Sequence, residues 1–200
     1  MTDLSVLRER ALARQATDNW EDAPLEECHF GDTDKGHHGY LPQYERHLVR
    51  SEISTLLEIG VFNGGSLRMW ARWLPKAQIV GIDIEPANYA GPGDCENITF
   101  VPGDATAVGE WRVWSGSPDV VIDDGSHHGD DQVAAFRNFW PSLTAGGWYV
   151  IEDLSTVWGF QFRAGKQIWS LIKDELAAVL NKGEASELHA YNEIVFIRKR

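Results

Sequence analysis

From residue 55 onward the chain alternates short apolar runs with longer amphipathic ones. The runs over 55–61, 78–84, 98–103, 119–124 and 147–153 are rich in Val, Ile, Leu and aromatic residues. That density is the pattern of strands buried on both faces. Between them, 66–74 and 130–143 carry apolar residues at helical spacing, with Val133, Phe136 and Trp140 on one side of the second. A long helix is expected over 161–180, with Ile168, Leu171, Ile172, Leu176 and Leu180 on its inner face. Strands over 187–191 and 193–198 follow, and their connection is too short for a crossover, so they must pair antiparallel. The alternation predicts an α/β fold: a mostly parallel, seven-stranded sheet, helices on both faces and an antiparallel C-terminal hairpin.

The N-terminal quarter follows another pattern. Leu4, Leu7, Ala11 and Leu12 have helical spacing over 4–16. Residues 17–47 are polar and rich in Asp, Glu and His, and a short helix is expected over 44–49. We therefore expect residues 1–50 to be a helical arm that covers the site, and 51–200 to be the sheet domain, within one domain overall. With 200 residues, 43% of them hydrophobic, the chain can bury one good core and is short for two.

Charge narrows the partners. A net charge of −12 argues against duplex nucleic acid and anionic membranes, and favours a cationic ligand. No apolar run approaches the ~20 residues that span a bilayer. The first residues mix Asp3, Arg8, Glu9 and Arg10, unlike a secretory signal. Cys28 and Cys95 lie far apart in no metal-type spacing, as free thiols in a reducing compartment would. A cytoplasmic protein is expected.

The chemistry concentrates where two strands end. Asp123-Asp124-Gly125-Ser126-His127-His128 closes one apolar run and Glu152-Asp153 closes another. In an open parallel sheet, sites form beyond the carboxyl ends of the strands. If these strands are neighbours, several carboxylates converge and repel unless a cation or proton neutralises them. Hard oxygen ligands suit Mg²⁺. Successive strand side chains point to opposite faces, so Asp123 and Asp124 need not both face the mouth. Asp124 is the better metal ligand and Asp123 its support. Either His127 or His128 can reach the mouth as a general base, and His127 is preferred.

A second set of motifs suggests a nucleoside. Glu58-Ile59-Gly60-Val61-Phe62-Asn63-Gly64-Gly65 ends the first strand and opens a helix, and Asp83 and Asp104 end the next two strands. The dinucleotide fingerprint needs glycine where Phe62 stands, so NAD is disfavoured. Glu58 would repel a pyrophosphate but attract a cation. S-adenosylmethionine, with a sulfonium, an amino group and a ribose, fits that charge pattern.

These segments (Leu57-Glu58-Ile59-Gly60, Gly81-Ile82-Asp83-Ile84, Gly103-Asp104, Ile122 to His127, and Ile151 to Leu154) resemble the class I S-adenosylmethionine-dependent methyltransferases. With Thr33-Asp34-Lys35 and His38-Gly39-Tyr40 in the arm, they resemble more narrowly the metal-dependent sugar O-methyltransferases of macrolide biosynthesis, the mycinamicin and macrocin type. The resemblance implies a Rossmann-like class I methyltransferase fold. It implies that Glu58 and Gly60 line the methionine part of the cofactor, Asp83 holds the ribose, and Asp104 sits by the adenine; Asp123 is expected among the cofactor-binding residues. It further implies that Thr33, Asp34 and Lys35 close over the cofactor, that Asp124, Glu152 and Asp153 bind Mg²⁺, and that His127 is the base. The expected partner is a small-molecule glycoside or polyol, with Trp158, Phe160 and Phe162 as an apolar platform for it; homo-oligomers are allowed. A catechol-like acceptor, a non-catalytic cofactor-binding scaffold and a metal-dependent hydroxylase are the alternatives.

Overall fold

A computed structural model describes residues 4–17, 19–107, 116–154, 165–191 and 193–200. The platform formed by Trp158, Phe160 and Phe162 lies outside the described residues. The elements in chain order are α1 (Leu4–Thr17), α2 (Leu41–His47), β1 (Thr55–Ile59), α3 (Gly65–Trp73), β2 (Gln78–Asp83), β3 (Ile98–Pro102), β4 (Val120–Asp123), α4 (Gly129–Phe139), β5 (Trp148–Ile151), α5 (Gly165–Asn181), β6 (Ala185–Ala190) and β7 (Val195–Lys199).

The strands form one seven-stranded sheet in the order β3-β2-β1-β4-β5-β7-β6. β1 pairs in parallel with β2 and with β4, and β5 pairs in parallel with β4. β7 inserts antiparallel between β5 and β6, as the short connection required. The chain runs outward from β1 to β3, then restarts at β4 on β1's other side. That reversal opens a crevice beyond the carboxyl ends of β1 and β4, where ligands bind in such sheets.

Alternation along each strand builds two cores. Leu56, Val120, Val150 and Phe196 face one side of the sheet, and Leu57, Val121, Tyr149 and Ile197 face the other. α3 and the N-terminal segment cover the first core, while α4 and α5 cover the second. The segment before residue 50 packs into the same domain. Tyr40, Leu41, Tyr44 and Leu48 are buried in the first core, with the Tyr44 ring edge-on to Trp70 (4.8 Å) and to Phe196 (5.3 Å).

Some boundaries differ from expectation. α2 spans Leu41–His47 rather than 44–49, with Pro42 in its first turn, where a missing N–H removes no helical bond. The helix expected over 130–143 stops at Phe139 and tightens to a 3₁₀ turn over Trp140–Ser142. On α5, Leu176 and Val179 face the core, and Leu180, expected inside, is 40% exposed. One residue is 100° of helix, enough to turn Leu180 out. Trp70, Trp73 and Trp140 are core residues.

Candidate active site

The acids at the strand ends meet residues from the N-terminal segment. Lys35 is fully buried, and its Nζ lies 2.7 Å from Asp124 Oδ2, 2.7 Å from Glu152 Oε2 and 3.1 Å from Glu58 Oε1. Tyr44 donates its hydroxyl to Glu152. Tyr40 donates to Asp153 Oδ1 at 2.5 Å. Glu58 also accepts from Ser66 Oγ at 2.7 Å. Burial alone would lower the Lys35 pKa, but Asp124, Glu152 and Glu58 together outweigh it and hold the ammonium well above its usual value. One ammonium faces three acids here, so burial and mutual repulsion still push Glu152 and Glu58 upward.

On the other side of this cluster lies a cavity of about 780 Å³, lined by Thr33, Gly60, Phe62, Asp124, His127 and Asp153 among others. Ligand atoms of Asp124, His127 and Asp153 all lie within 4.8 Å of one another. His127 Nε2 stands 3.7 Å from Asp153 Oδ2, while its buried Nδ1 meets no partner among the described residues. A smaller compartment of about 310 Å³ adjoins the first, shares Gly60, Asp83 and Gly125 with it, and is also lined by Asp104 and Asp123.

Backbone strain gathers on the larger cavity. The non-glycine residues with left-handed backbone among the described residues are Phe62 (φ 47°), His127 (φ 56°) and Asp153 (φ 54°), and all three line it. Such strain concentrates where a site needs a side chain aimed. Gly60 closes the turn with φ 86°, and a β-carbon there would lie 2.0 Å from the Asp124 carbonyl oxygen. Asp83 holds the same turn: its Oδ2 accepts from the N–H groups of Val61 (2.7 Å) and Phe62 (2.9 Å). Asp104 accepts from Thr106 N–H and Oγ1, which lowers its pKa. Asp123 is buried, and burial pushes its carboxyl up to about 7.

The expected residues thus divide. Thr33, Asp34, Gly60, Asp83, Asp124, His127 and Asp153 line the larger cavity, and Asp104 and Asp123 the smaller. Three expected residues, Lys35, Glu58 and Glu152, do not line either compartment. Lys35 is fully buried, and its Nζ reaches the acids from within the protein. Glu58 does not line the cavity, because it is turned inward to Ser66, Lys35 and Trp70. Glu152 stands one layer back from Asp124 and Asp153, held by Lys35 and Tyr44. His128 is exposed at the start of α4, whereas His127 faces the cavity. The sequence reading gave Tyr40 and Tyr44 no role. Their four-residue spacing, one helical turn, was the available signal.

Residues 57–154 match the family described as a methyltransferase domain. A strand-order reversal flanked by a glycine turn and strand-end acids is the arrangement of a class I methyltransferase domain, and the chain carries one. Within that class it is similar to the sugar O-methyltransferases of macrolide biosynthesis. It is 31% identical over 192 residues to mycinamicin VI 2''-O-methyltransferase of Micromonospora griseorubida, covering 81% of this chain and 48% of the relative. It is 38% identical over 133 residues to demethylmacrocin O-methyltransferase of Streptomyces fradiae, covering 60% of this chain and 33% of the relative. The chain therefore spans half or less of the length of these relatives. The solved MycE methyltransferase of the mycinamycin biosynthetic pathway, in complex with Mg and SAH, superposes with a TM-score of 0.72 at 28% identity, over 99% of this chain and 55% of that one. A putative caffeoyl-CoA O-methyltransferase from Staphylococcus aureus shares the fold, with a TM-score of 0.60 at 16% identity. Among the described residues no helix is long and apolar enough to cross a membrane.

Proposed function

We propose that the chain is an S-adenosylmethionine- and Mg²⁺-dependent O-methyltransferase that methylates a sugar hydroxyl of a glycosylated natural product. The observation that carries this reading is the convergence of Asp124, His127 and Asp153 on a cavity that continues past Gly60 and Asp83. The smaller compartment, with Asp104 and Asp123, suits the adenine, and Asp83, at the junction, suits the ribose. Thr33 and Gly60 border the space left for the methionine part and the acceptor.

The donor set fits a hard divalent ion. Asp124 and Asp153 offer carboxylate oxygens at the cavity, and Glu152 adds negative charge directly behind them. When bound there, such an ion would supply Lewis acidity that makes a sugar hydroxyl acidic enough to react. The chain does the rest. His127 lines the cavity beside Asp153, and its neutral imidazole would take the hydroxyl proton as the methyl group leaves sulfur for oxygen. The strained turn at Phe62 and the segment around Thr33 confine the reacting atoms.

Relatives named for transfer to macrolide and rhamnosyl tetracenomycin sugars support the glycoside class. The test is calorimetry of S-adenosylmethionine with and without Mg²⁺, followed by methyl transfer to a panel of glycosides, polyols and catechols. Turnover of glycosides that EDTA abolishes is the expected result. Turnover of catechols alone would move the acceptor class, and cofactor binding with no turnover would leave a binding protein.

A further inference from the structure

Every acid of the cluster is held from the same short segment. Lys35 serves Glu58, Asp124 and Glu152, Tyr44 serves Glu152, and Tyr40 serves Asp153. Among these partners only Lys35 brings charge. Its ammonium is sealed from water, and Lys35 does not line the cavity, whereas its partner Asp124 does. Asp124 therefore belongs to two groups at once: the three acids around Lys35, and the cavity group with His127 and Asp153.

We propose that Lys35 is a resident counter-cation, a positioning residue that shares Asp124 with the divalent ion and weakens the ion's hold. This deepens the reading above and rests on an ion binding at Asp124 and Asp153. The electrostatics set the direction. A buried acid without a partner is costly, so the cluster needs a positive charge in order to fold before any ion arrives. Lys35 provides that charge and keeps Asp124 and Glu152 oriented. The same charge repels an incoming cation, and the ammonium occupies Asp124 Oδ2 at 2.7 Å. The ion then binds reversibly to a site whose geometry the segment has already set. Loss of ordinary structural support would loosen ion binding; loss of a competing positive charge tightens it.

The test compares wild-type protein with Lys35→Met, Lys35→Gln and Lys35→Arg, by calorimetric titration with Mg²⁺ and by thermal unfolding with and without millimolar Mg²⁺. The two neutral variants are expected to bind Mg²⁺ at least about tenfold more tightly than wild type. They are expected to be less stable without the ion and to gain more from its addition, while Lys35→Arg stays near wild type. Neutral variants that fold only when Mg²⁺ is present support the same conclusion. Wild-type affinity or weaker binding in the neutral variants overturns it, as does failure of both to fold even with Mg²⁺. A wild-type protein that binds no Mg²⁺ sinks the metal reading itself, whereas normal wild-type binding with unchanged variants sinks this inference alone.

Discussion

The backbone oxygen of Asp32 lies 1.8 Å from where a β-carbon on Gly65 would stand. The segment before α2 is thus seated directly on the first turn of α3, and Arg68 fastens it by an ion pair to Asp32 at 2.9 Å. Gly65→Ala must push that seat away. Overpacking of this kind costs about 1–3 kcal/mol. Thr33 and Asp34 line the cavity just beyond the seat, so S-adenosylhomocysteine affinity falls along with stability. Calorimetry and urea unfolding of the variant check both. Unchanged affinity would mean that the seat does not shape the cavity.

His127 and His128 are neighbours with different surroundings. His127 lines the cavity beside Asp153, and His128 is exposed at the start of α4. His127→Ala should lower the methyl-transfer rate about 10²–10⁴-fold, the usual contribution of a positioned proton acceptor. Product-cofactor affinity should stay within about threefold, because the imidazole is assigned to the acceptor and not to the nucleoside. His128→Ala should leave turnover near wild type. If the two variants exchange these behaviours, the base is His128.

Tyr40 donates to Asp153 at 2.5 Å, which fixes the rotamer of that carboxylate beside His127. Partners of this kind typically govern metal affinity by about 10–100-fold. Tyr40→Phe should therefore weaken Mg²⁺ binding by that range in a direct titration. Asp153→Ala should abolish Mg²⁺-dependent turnover, as EDTA does. Full Mg²⁺ affinity in Tyr40→Phe would show that Asp153 is not a ligand.

The sheet was legible in the sequence because parallel strands buried on both faces leave dense apolar runs, and the runs ending in Asp83, Asp124 and Asp153 marked its carboxyl edge. The cavity acids followed from that edge. What could not be read was direction. Periodicity along β1 cannot tell that Glu58 turns inward to Ser66 rather than toward a ligand. Nor can local pattern show that Lys35 reaches residues 89 and 117 positions away. Residues 17–47 read as polar, and apolar residues scattered through them, among them Trp20, Leu25, Tyr40, Leu41 and Tyr44, are core. Long-range pairing of a polar segment leaves no periodic trace.

His29 makes the seat of this segment sensitive to acid. It is buried, and its Nδ1 accepts the Gly31 N–H at 3.1 Å, so the fold requires the neutral ring. Burial lowers its pKa below the usual 6.5, against the upward pull of Asp32 and Glu26. The sign follows from proton uptake. As pH falls through 6.5 the unfolded chain binds the proton first, while folded His29 resists until a lower pH. Its contribution to stability is therefore complete above 6.5 and is lost below it, down to the folded pKa. His29→Asn offers an acceptor that does not titrate in this range, so its stability should fall less than that of wild type between about pH 7.5 and about pH 5.5. Exchange of the Gly31 amide should speed up in acid, relative to the intrinsic rate, in wild type alone. Both readouts are needed, because the carboxylates also titrate as the pH falls, and only the difference between the two proteins isolates His29. Parallel pH profiles for the two would place the proton elsewhere and leave the seat indifferent to acid.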